Sequence, residues 1–144
     1  MSLVLITGGA GFIGSNLADR LARDGHRVRV FDALSRAGTE RNIDWLQRNH
    51  RDAIEFVRAD IRDRGAVQSA AADVDAVFHF AAQVAVTTSL DDPREDFDIN
   101  IGGTFALLEA LRARGGNVPL IFASTNKVYG DLADLQFRRE GDAY

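Results

Sequence analysis

The fold is decided near the start of the chain, where residues 3–14 are LVLITGGAGFIG. The run Leu3–Thr7 has the length and apolar character of a buried strand, and glycines end it abruptly. From Phe12 onward, apolar residues recur close to helical spacing, and Asp24 with Gly25 supplies a stop signal. The stretch therefore predicts a strand, a tight turn and a helix in direct succession.

The same alternation of strands and helices continues outward along the chain. Further strands are predicted at Arg27–Phe31, Ala53–Val57, Val74–Phe80 and Val118–Ser124, and helices at Asn42–Asn49, from a cap at Asp63 to Ala72, and at Ile99–Arg114. Strands that alternate with helices form βαβ units, whose right-handed crossovers give a parallel sheet with helices on both faces. We expect a single α/β domain over residues 1–144, built on a doubly wound parallel sheet of about five strands.

Composition excludes several classes of protein. The 144 residues are 46% hydrophobic and carry a net charge of −4, which is typical of a globular chain and gives no basic footprint for nucleic acid or an anionic membrane. There is no cysteine and no histidine spacing suited to a metal, so we expect no disulfide and no metal site. No apolar run has the length of a membrane span and no signal peptide is evident, so we expect a cytoplasmic protein.

The glycines of the first turn have a spacing that suits a ligand. Gly8, Gly11 and Gly14 follow the pattern G-x-x-G-x-x-G between a predicted strand and a predicted helix. Gly8 would form the tight turn, Gly11 would let a pyrophosphate approach the backbone, and Gly14 would let the helix pack closely. The amides and the dipole at the helix N-terminus favour phosphate. A glycine-rich turn without a ligand is the alternative for this motif alone.

An acidic residue at the end of the second strand strengthens the prediction. Asp32 lies 24 residues after Gly8, where a carboxylate binds the adenosine ribose of a dinucleotide. A Rossmann-type dinucleotide-binding domain is therefore predicted. The carboxylate would repel a 2′-phosphate and favours NAD over NADP, while the nearby Arg36 works against that preference.

The glycine turn and Asp32 resemble the extended short-chain dehydrogenase/reductase family of nucleotide-sugar epimerases and dehydratases. The same resemblance extends to Asp60-Ile61, residues 79–82, Asn100 and residues 128–130. The resemblance covers essentially the whole chain in the order of the family. It implies a nucleotide-sugar substrate and NAD as the cofactor. The cofactor-binding residues that it implies, with those of the glycine turn, are Gly8, Gly11, Phe12, Ile13, Gly14, Asp32, Ser35, Arg36, Asp60, Ile61, Phe80, Ala81, Ala82, Gln83, Asn100 and Ser124.

Four stretches of the chain resemble one group within this family, the 2-epimerases of CDP-linked sugars. They are residues 32–36, 42–46, 82–89 and 124–131. Family dehydratases carry an Asp-Glu pair where Asn126 and Lys127 stand, so the pair that eliminates water is missing. The resemblance makes Thr125 the catalytic hydroxyl residue and places Thr87, Thr88, Asn126 and Lys127 at the substrate. Other sugar-nucleotide epimerases, a dehydrogenase of a small substrate and a non-catalytic NAD-binding module are the alternatives.

The family also requires a Tyr-x-x-x-Lys pair, which this sequence does not contain. Tyr129 is followed four residues later by Ala133, Tyr144 is the last residue, and Lys127 is the single lysine. We therefore expect the chain to be the N-terminal part of a longer epimerase, ending before the Tyr-x-x-x-Lys helix and the substrate domain, and to be inactive by itself. Because relatives dimerise in part through the helix matching residues 100–114, the resemblance also allows a homodimer.

Two remaining features have structural interpretations. His79, on a predicted buried strand, is interpreted as a core histidine with satisfied hydrogen bonds. Asp91 and Asp92 before Pro93 indicate a turn and a helix start, and the acidic residues at 95, 96 and 98 are assigned to a solvated face.

Overall fold

The structure, a computed structural model, describes residues 1–125, 128 and 130. Asn126, Lys127, Tyr129 and the run 131–144 lie outside the described residues. In chain order the elements are β1 (Leu3–Thr7), α1 (Phe12–Arg23), β2 (Arg27–Asp32), α2 (Thr39–Asn49), β3 (Ile54–Arg58), α3 (Arg64–Ala71), β4 (Ala76–His79), α4 (Val86–Asp91), α5 (Pro93–Phe97), a π-helix (Asp98–Gly103), α6 (Thr104–Arg114) and β5 (Leu120–Phe122).

The five strands form one parallel sheet in the order β3-β2-β1-β4-β5. The chain proceeds outward from β1 to β3 and then crosses back to place β4 on the other side of β1. This reversal opens a crevice above the carboxyl ends of β1 and β4, which is where doubly wound sheets bind ligands. The predicted fold class is confirmed.

Alternate residues of the central strand supply the two halves of the core. Leu5 belongs to a cluster with Val67 of α3 and Leu107 of α6, while Val4 and Ile6 join a cluster that includes residues of α1 and α2. Helices therefore cover both faces of the sheet. The burial of both faces explains why β1 is an uninterrupted apolar run.

Strand β2 contains a buried charge. Arg29 is only 8% exposed. Its guanidinium donates to Glu55 of β3, to Asp73 after α3 and to the carbonyl oxygen of Ala70. The charge is buried because three acceptors surround it.

Some boundaries differ from the sequence predictions. The fourth and fifth strands are shorter than predicted, and α4 was not predicted at all. The expected helix Ile99–Arg114 begins as the π-helix and becomes α-helical only from Thr104. The predicted cap at Asp63 is confirmed, since its side chain accepts from the amide of Ala66. The predicted helix start before Pro93 is confirmed too, and there the Asp92 side chain accepts from the amide of Glu95.

Within the part of the chain that the structure describes, no helix combines the length and apolar character needed to cross a membrane.

Candidate cofactor-binding site

The glycine turn leaves no space for side chains at two of its positions. Gly8 has φ +66°, and a Cβ built there would lie 2.6 Å from the backbone nitrogen of Ala81. A Cβ at Gly14 would lie 2.5 Å from the carbonyl oxygen of Gly8 and 2.6 Å from Cα of Gly9. Helix α1 therefore rests directly on the turn, as predicted for Gly14.

The N-terminus of α1 presents unpaired backbone donors to this turn. Gly11 is the N-cap residue, makes no side-chain capping bond, and has no acidic residue after it in the first turn. The amides of Phe12, Ile13 and Gly14 have no acceptor within the helix, because the first intrahelical bond runs from the Ser15 amide to the Gly11 carbonyl. Such a turn suits a phosphate group.

Asp32 stands at the end of β2 and holds the turn from the side. One carboxylate oxygen accepts from the Ala10 amide at 3.0 Å, and the other accepts from the Leu34 amide at 2.8 Å. Leu34 has φ +54°, an uncommon conformation for a residue with a side chain. Carboxylate oxygens can accept further bonds, so Asp32 remains able to bind a ribose hydroxyl.

Beyond the glycine turn and Asp32, one rim of the crevice is formed by the residues that follow β3. Asp60 pairs with Arg62 at 2.7 Å, and the hydrogen bond from that guanidinium holds the pKa of Asp60 below its usual range. Arg62 also reaches Glu95 of α5 at 3.5 Å. Ile61 is buried next to them and packs with the first core cluster.

A chain of hydrogen bonds supports the opposite rim, after β4. The Thr104 hydroxyl donates to the carbonyl oxygen of Asn100 at 2.6 Å, so its oxygen accepts from Nε2 of His79 at 2.9 Å. Nδ1 of His79 then accepts from the Thr7 hydroxyl at 2.6 Å, and the Thr7 oxygen accepts from the Ala81 amide at 3.3 Å. His79 is 1% exposed, and burial lowers its pKa to about 4. The interpretation of His79 as a satisfied, neutral core histidine is confirmed.

The rims enclose a cavity of about 820 Å³, within the range of small-ligand sites. Most of the predicted cofactor residues line it, together with one predicted substrate residue: Gly8, Gly11, Phe12, Ile13, Gly14, Asp32, Ser35, Arg36, Asp60, Ile61, Phe80, Ala81, Ala82, Gln83 and Thr88. Residues that were predicted from the sequence, and that follow four different strands, thus meet at one cavity.

Other predicted site residues lie elsewhere. Asn100 lies behind the cavity, where its side chain holds the backbone of Gln83. Thr87, Ser124 and Thr125 are exposed and do not line the cavity. Asn126 and Lys127, both predicted to bind substrate, lie outside the described residues. Their roles remain predictions.

Sequence reasoning missed several groups that shape the site. Arg62 and Glu95 line the cavity, and Thr7 and Thr104 support its β4 rim. Asp96, assigned to a solvated face, instead accepts hydrogen bonds from Ser89 and Asn100. Thr7 could have been found from its place directly before Gly8, whereas nothing in the local sequence marks Thr104 or Asp96.

The donor set fits a dinucleotide, with backbone amides for a pyrophosphate, Asp32 for a ribose and a cavity that extends along the ends of β1 to β4. Among residues 1–125 and the two other described positions, no cluster of His, Asp or Glu could hold a metal ion.

Comparison with known proteins agrees with this assignment. Residues 5–144 match the family model of GDP-mannose 4,6-dehydratase. CDP-paratose 2-epimerase from Salmonella typhi is 46% identical over 143 residues, covering 98% of this chain and 42% of that protein. A dTDP-glucose 4,6-dehydratase from Mycobacterium tuberculosis is 43% identical over 131 residues, covering 90% of this chain and 38% of that protein.

A solved structure is similar over the same region. The UDP-glucose-4-epimerase from Stenotrophomonas maltophila, with bound NAD and formylated UDP-arabinopyranose, superposes with a TM-score of 0.80 at 39% identity. The match covers 90% of this chain and 39% of that one. The chain thus spans about two fifths of the length of the relatives it matches.

Substitution of Gly14 by Ala should damage the site through its backbone contacts. Because the new Cβ would meet the backbone of the glycine turn, α1 must shift, and we expect Gly14→Ala to lower the free energy of unfolding by about 2 kcal/mol. Urea denaturation measures this. The matched control is Gly65→Ala in the first turn of α3, where a Cβ meets only Asp63 Oδ1 at 3.5 Å. Equal effects of the two substitutions would contradict the close-contact interpretation.

Protonation of His79 should make the fold sensitive to acid. Because the pKa in the folded protein is about 4 and that of an unfolded histidine is about 6.5, the unfolded chain binds a proton first as the pH falls. We expect a loss of about 3 kcal/mol of stability between pH 6.5 and pH 4, and no further loss from this group below pH 4.

Comparison of the wild type with a variant that lacks the imidazole assigns the pH dependence of stability to His79. The variant His79→Gln should lack this part of the slope in urea denaturation between pH 4 and 6.5. Comparison of the NMR spectra of the two proteins identifies the imidazole Cε1–H resonance, which should remain that of a neutral ring down to pH 5. A resonance that titrates near pH 6.5 would show that the ring is not held neutral.

Proposed function

The chain belongs to the extended short-chain dehydrogenase/reductase family of epimerases and dehydratases, and we propose that it is the NAD-binding domain of a sugar-nucleotide epimerase. The observation that carries the proposal is the glycine turn on which α1 rests, with open amides at the helix N-terminus and Asp32 beside it. The NAD bound in a similar solved structure supports the choice of cofactor.

The residues around the cavity divide between the parts of the cofactor. Asp60 and Ile61 flank the adenine, Asp32 binds the adenosine ribose, and the first turn of α1 binds the pyrophosphate. The segment after β4, from Phe80 to Gln83, then faces the nicotinamide half. The negative charge of Asp32 disfavours the 2′-phosphate of NADP, although Arg36 on the same rim reduces the difference.

The chemistry of the proposed reaction is redox-neutral overall. NAD, held by Asp32 and the first turn of α1, would supply reversible hydride transfer, by which a sugar carbon would be oxidised to a ketone and reduced again from its other face. The hydroxyl of Thr125 would hydrogen-bond the reacting sugar oxygen. Proton transfer in this family requires a Tyr-x-x-x-Lys pair, which is absent from the sequence, so the 144-residue chain by itself binds cofactor without turnover.

For the substrate we propose CDP-paratose, inverted at carbon 2 to give CDP-tyvelose. The 46% identity to a CDP-paratose 2-epimerase over 98% of this chain supports this choice. Asn126 and Lys127, in the place of the Asp-Glu pair of dehydratases, argue against water elimination. Another epimerase, such as one for UDP-glucose, is the second candidate, since the similar structure is a UDP-glucose-4-epimerase.

A homodimer is proposed from an apolar stripe on the helical segment that runs from α5 to α6. Phe97, Ile101, Phe105 and Leu108 follow one another at helical spacing and are each about half exposed. A contiguous apolar stripe of this kind is typical of a protein–protein contact.

Cofactor binding tests the proposal on the chain itself. We expect isothermal titration calorimetry to show binding of NAD and weaker binding of NADP. Asp32→Ala should weaken NAD binding roughly tenfold and reduce the preference for NAD, because a charged acceptor is lost. Asp44→Ala, an exposed acid on α2, is the control. A wild-type chain that binds neither nucleotide would contradict the proposed function.

Turnover separates the proposed epimerase from the alternatives. The chain with NAD and CDP-paratose should produce neither CDP-tyvelose nor NADH. The intact mass of the native protein in its source cells decides the next step. A chain of about twice this length should convert CDP-paratose and leave UDP-glucose unchanged, whereas a native mass of 15.7 kDa would favour a non-catalytic NAD-binding module. Net formation of NADH would instead indicate a dehydrogenase.

Association should depend on the apolar stripe. In sedimentation velocity we expect wild-type dimers and a shift of Phe105→Glu to monomers, because a charge would be buried in the contact. Leu90→Glu, which changes an exposed apolar residue of α4 outside the stripe, is the control. Identical sedimentation of the wild type and Phe105→Glu would argue against this interface.

A further inference from the structure

Side-chain hydrogen bonds fasten the segment after β4 to the helical segment behind it. The Asn100 side chain makes a reciprocal pair with the backbone of Gln83, since Oδ1 accepts from the amide at 2.9 Å and Nδ2 donates to the carbonyl oxygen at 3.0 Å. Gln83 lines the cavity, whereas Asn100 lies on the π-helix. The amide of Asn100 must therefore keep one orientation for this pair to form.

Asp96 reinforces that orientation. Its Oδ1 accepts from Nδ2 of Asn100 at 3.1 Å and from the hydroxyl of Ser89 at 2.7 Å. An ionised carboxylate only accepts, so Asn100 must turn its NH2 group toward Asp96 and leave Oδ1 for Gln83. Since Ser89 lies on α4, one carboxylate joins α4, α5 and the π-helix.

This hydrogen-bond network lies beside the part of the cavity that follows β4. On one side of β1, Asp32 ends β2 and Asp60 follows β3, while the segment after β4 lies on the other side. A dinucleotide with its adenosine above β2 and its pyrophosphate at the N-terminus of α1 extends its second nucleoside toward β4. Gln83 and Thr88, the neighbour of Ser89, line that end of the cavity.

We propose that Asp96 is a positioning residue for the nicotinamide half of the cofactor site. The proposal rests on the proposed NAD-binding function. Asp96 does not line the cavity, and it acts by fixing Asn100 and Ser89, which hold the segment 83–89 beside the part of the cavity where the second nucleoside would lie. Its loss should therefore affect NAD and leave ADP, which lacks the second nucleoside, unaffected.

The test compares the affinities of NAD and ADP by isothermal titration calorimetry on the whole chain. We expect Asp96→Ala to weaken NAD binding about fivefold with ADP binding unchanged. Asp96→Asn should recover most of the affinity, because its amide oxygen can accept from the same two donors. Asp98→Ala, which removes a nearby carboxylate paired with Arg94 at 2.8 Å, is the matched control and should behave as the wild type.

Ser89→Ala tests the same contact from α4 and should shift NAD affinity in the same direction, even if Asp96→Ala fails to fold. Unchanged NAD affinity in the folded variants, or equal losses for NAD and ADP, would overturn the positioning role. Failure of the wild type to bind either nucleotide would instead remove the proposed function, and the positioning role with it. The two failures are thus distinguishable.

Discussion

The direct contact between the first turn of α1 and the backbone of the glycine turn is the constraint on which the site depends. Any Cβ at Gly14 would overlap Gly8 and Gly9, so the helix can approach this closely only without one. Two polar side chains hold the turn from outside, since Asp32 accepts from the Ala10 amide and Asn42 donates to the Ala10 carbonyl at 2.7 Å. The ends of β1 and β2 and the N-terminus of α1 are therefore brought to one point.

The rim after β4 is held by a different interaction. A hydrogen-bonded chain runs from Thr7 through the neutral ring of His79 to Thr104 and Asn100. Buried polar groups are costly when unpaired and specify one arrangement when each has a partner. Each polar atom of the His79 ring has one, which explains how a histidine 1% exposed lies in the middle of the sheet.

The sequence was informative where local physical chemistry decides the structure. The glycine turn, the cap at Asp63, the helix start before Pro93 and the alternation of strands and helices depend on neighbours in sequence, and they were predicted. Asp96 was misassigned to a solvated face because the packing of α4 and the π-helix brings Ser89 and Asn100 to it. The burial of Arg29 was not predicted, because its partners Glu55 and Asp73 lie far from it in sequence. The π-helix could not be predicted, because π-helical turns are rare and the sequence pattern of this segment does not distinguish one from the α-helix that continues it.

The glycine turn and the rim after β4 are therefore held by different kinds of interaction. At Gly8 and Gly14 the constraint is excluded volume, which only a residue without a side chain satisfies. The rim after β4 depends instead on hydrogen bonds among the side chains of several elements, from Thr7 of β1 to Thr104 of α6. A substitution on the rim after β4 therefore removes a hydrogen bond, whereas any side chain at Gly8 or Gly14 displaces the backbone that surrounds the turn.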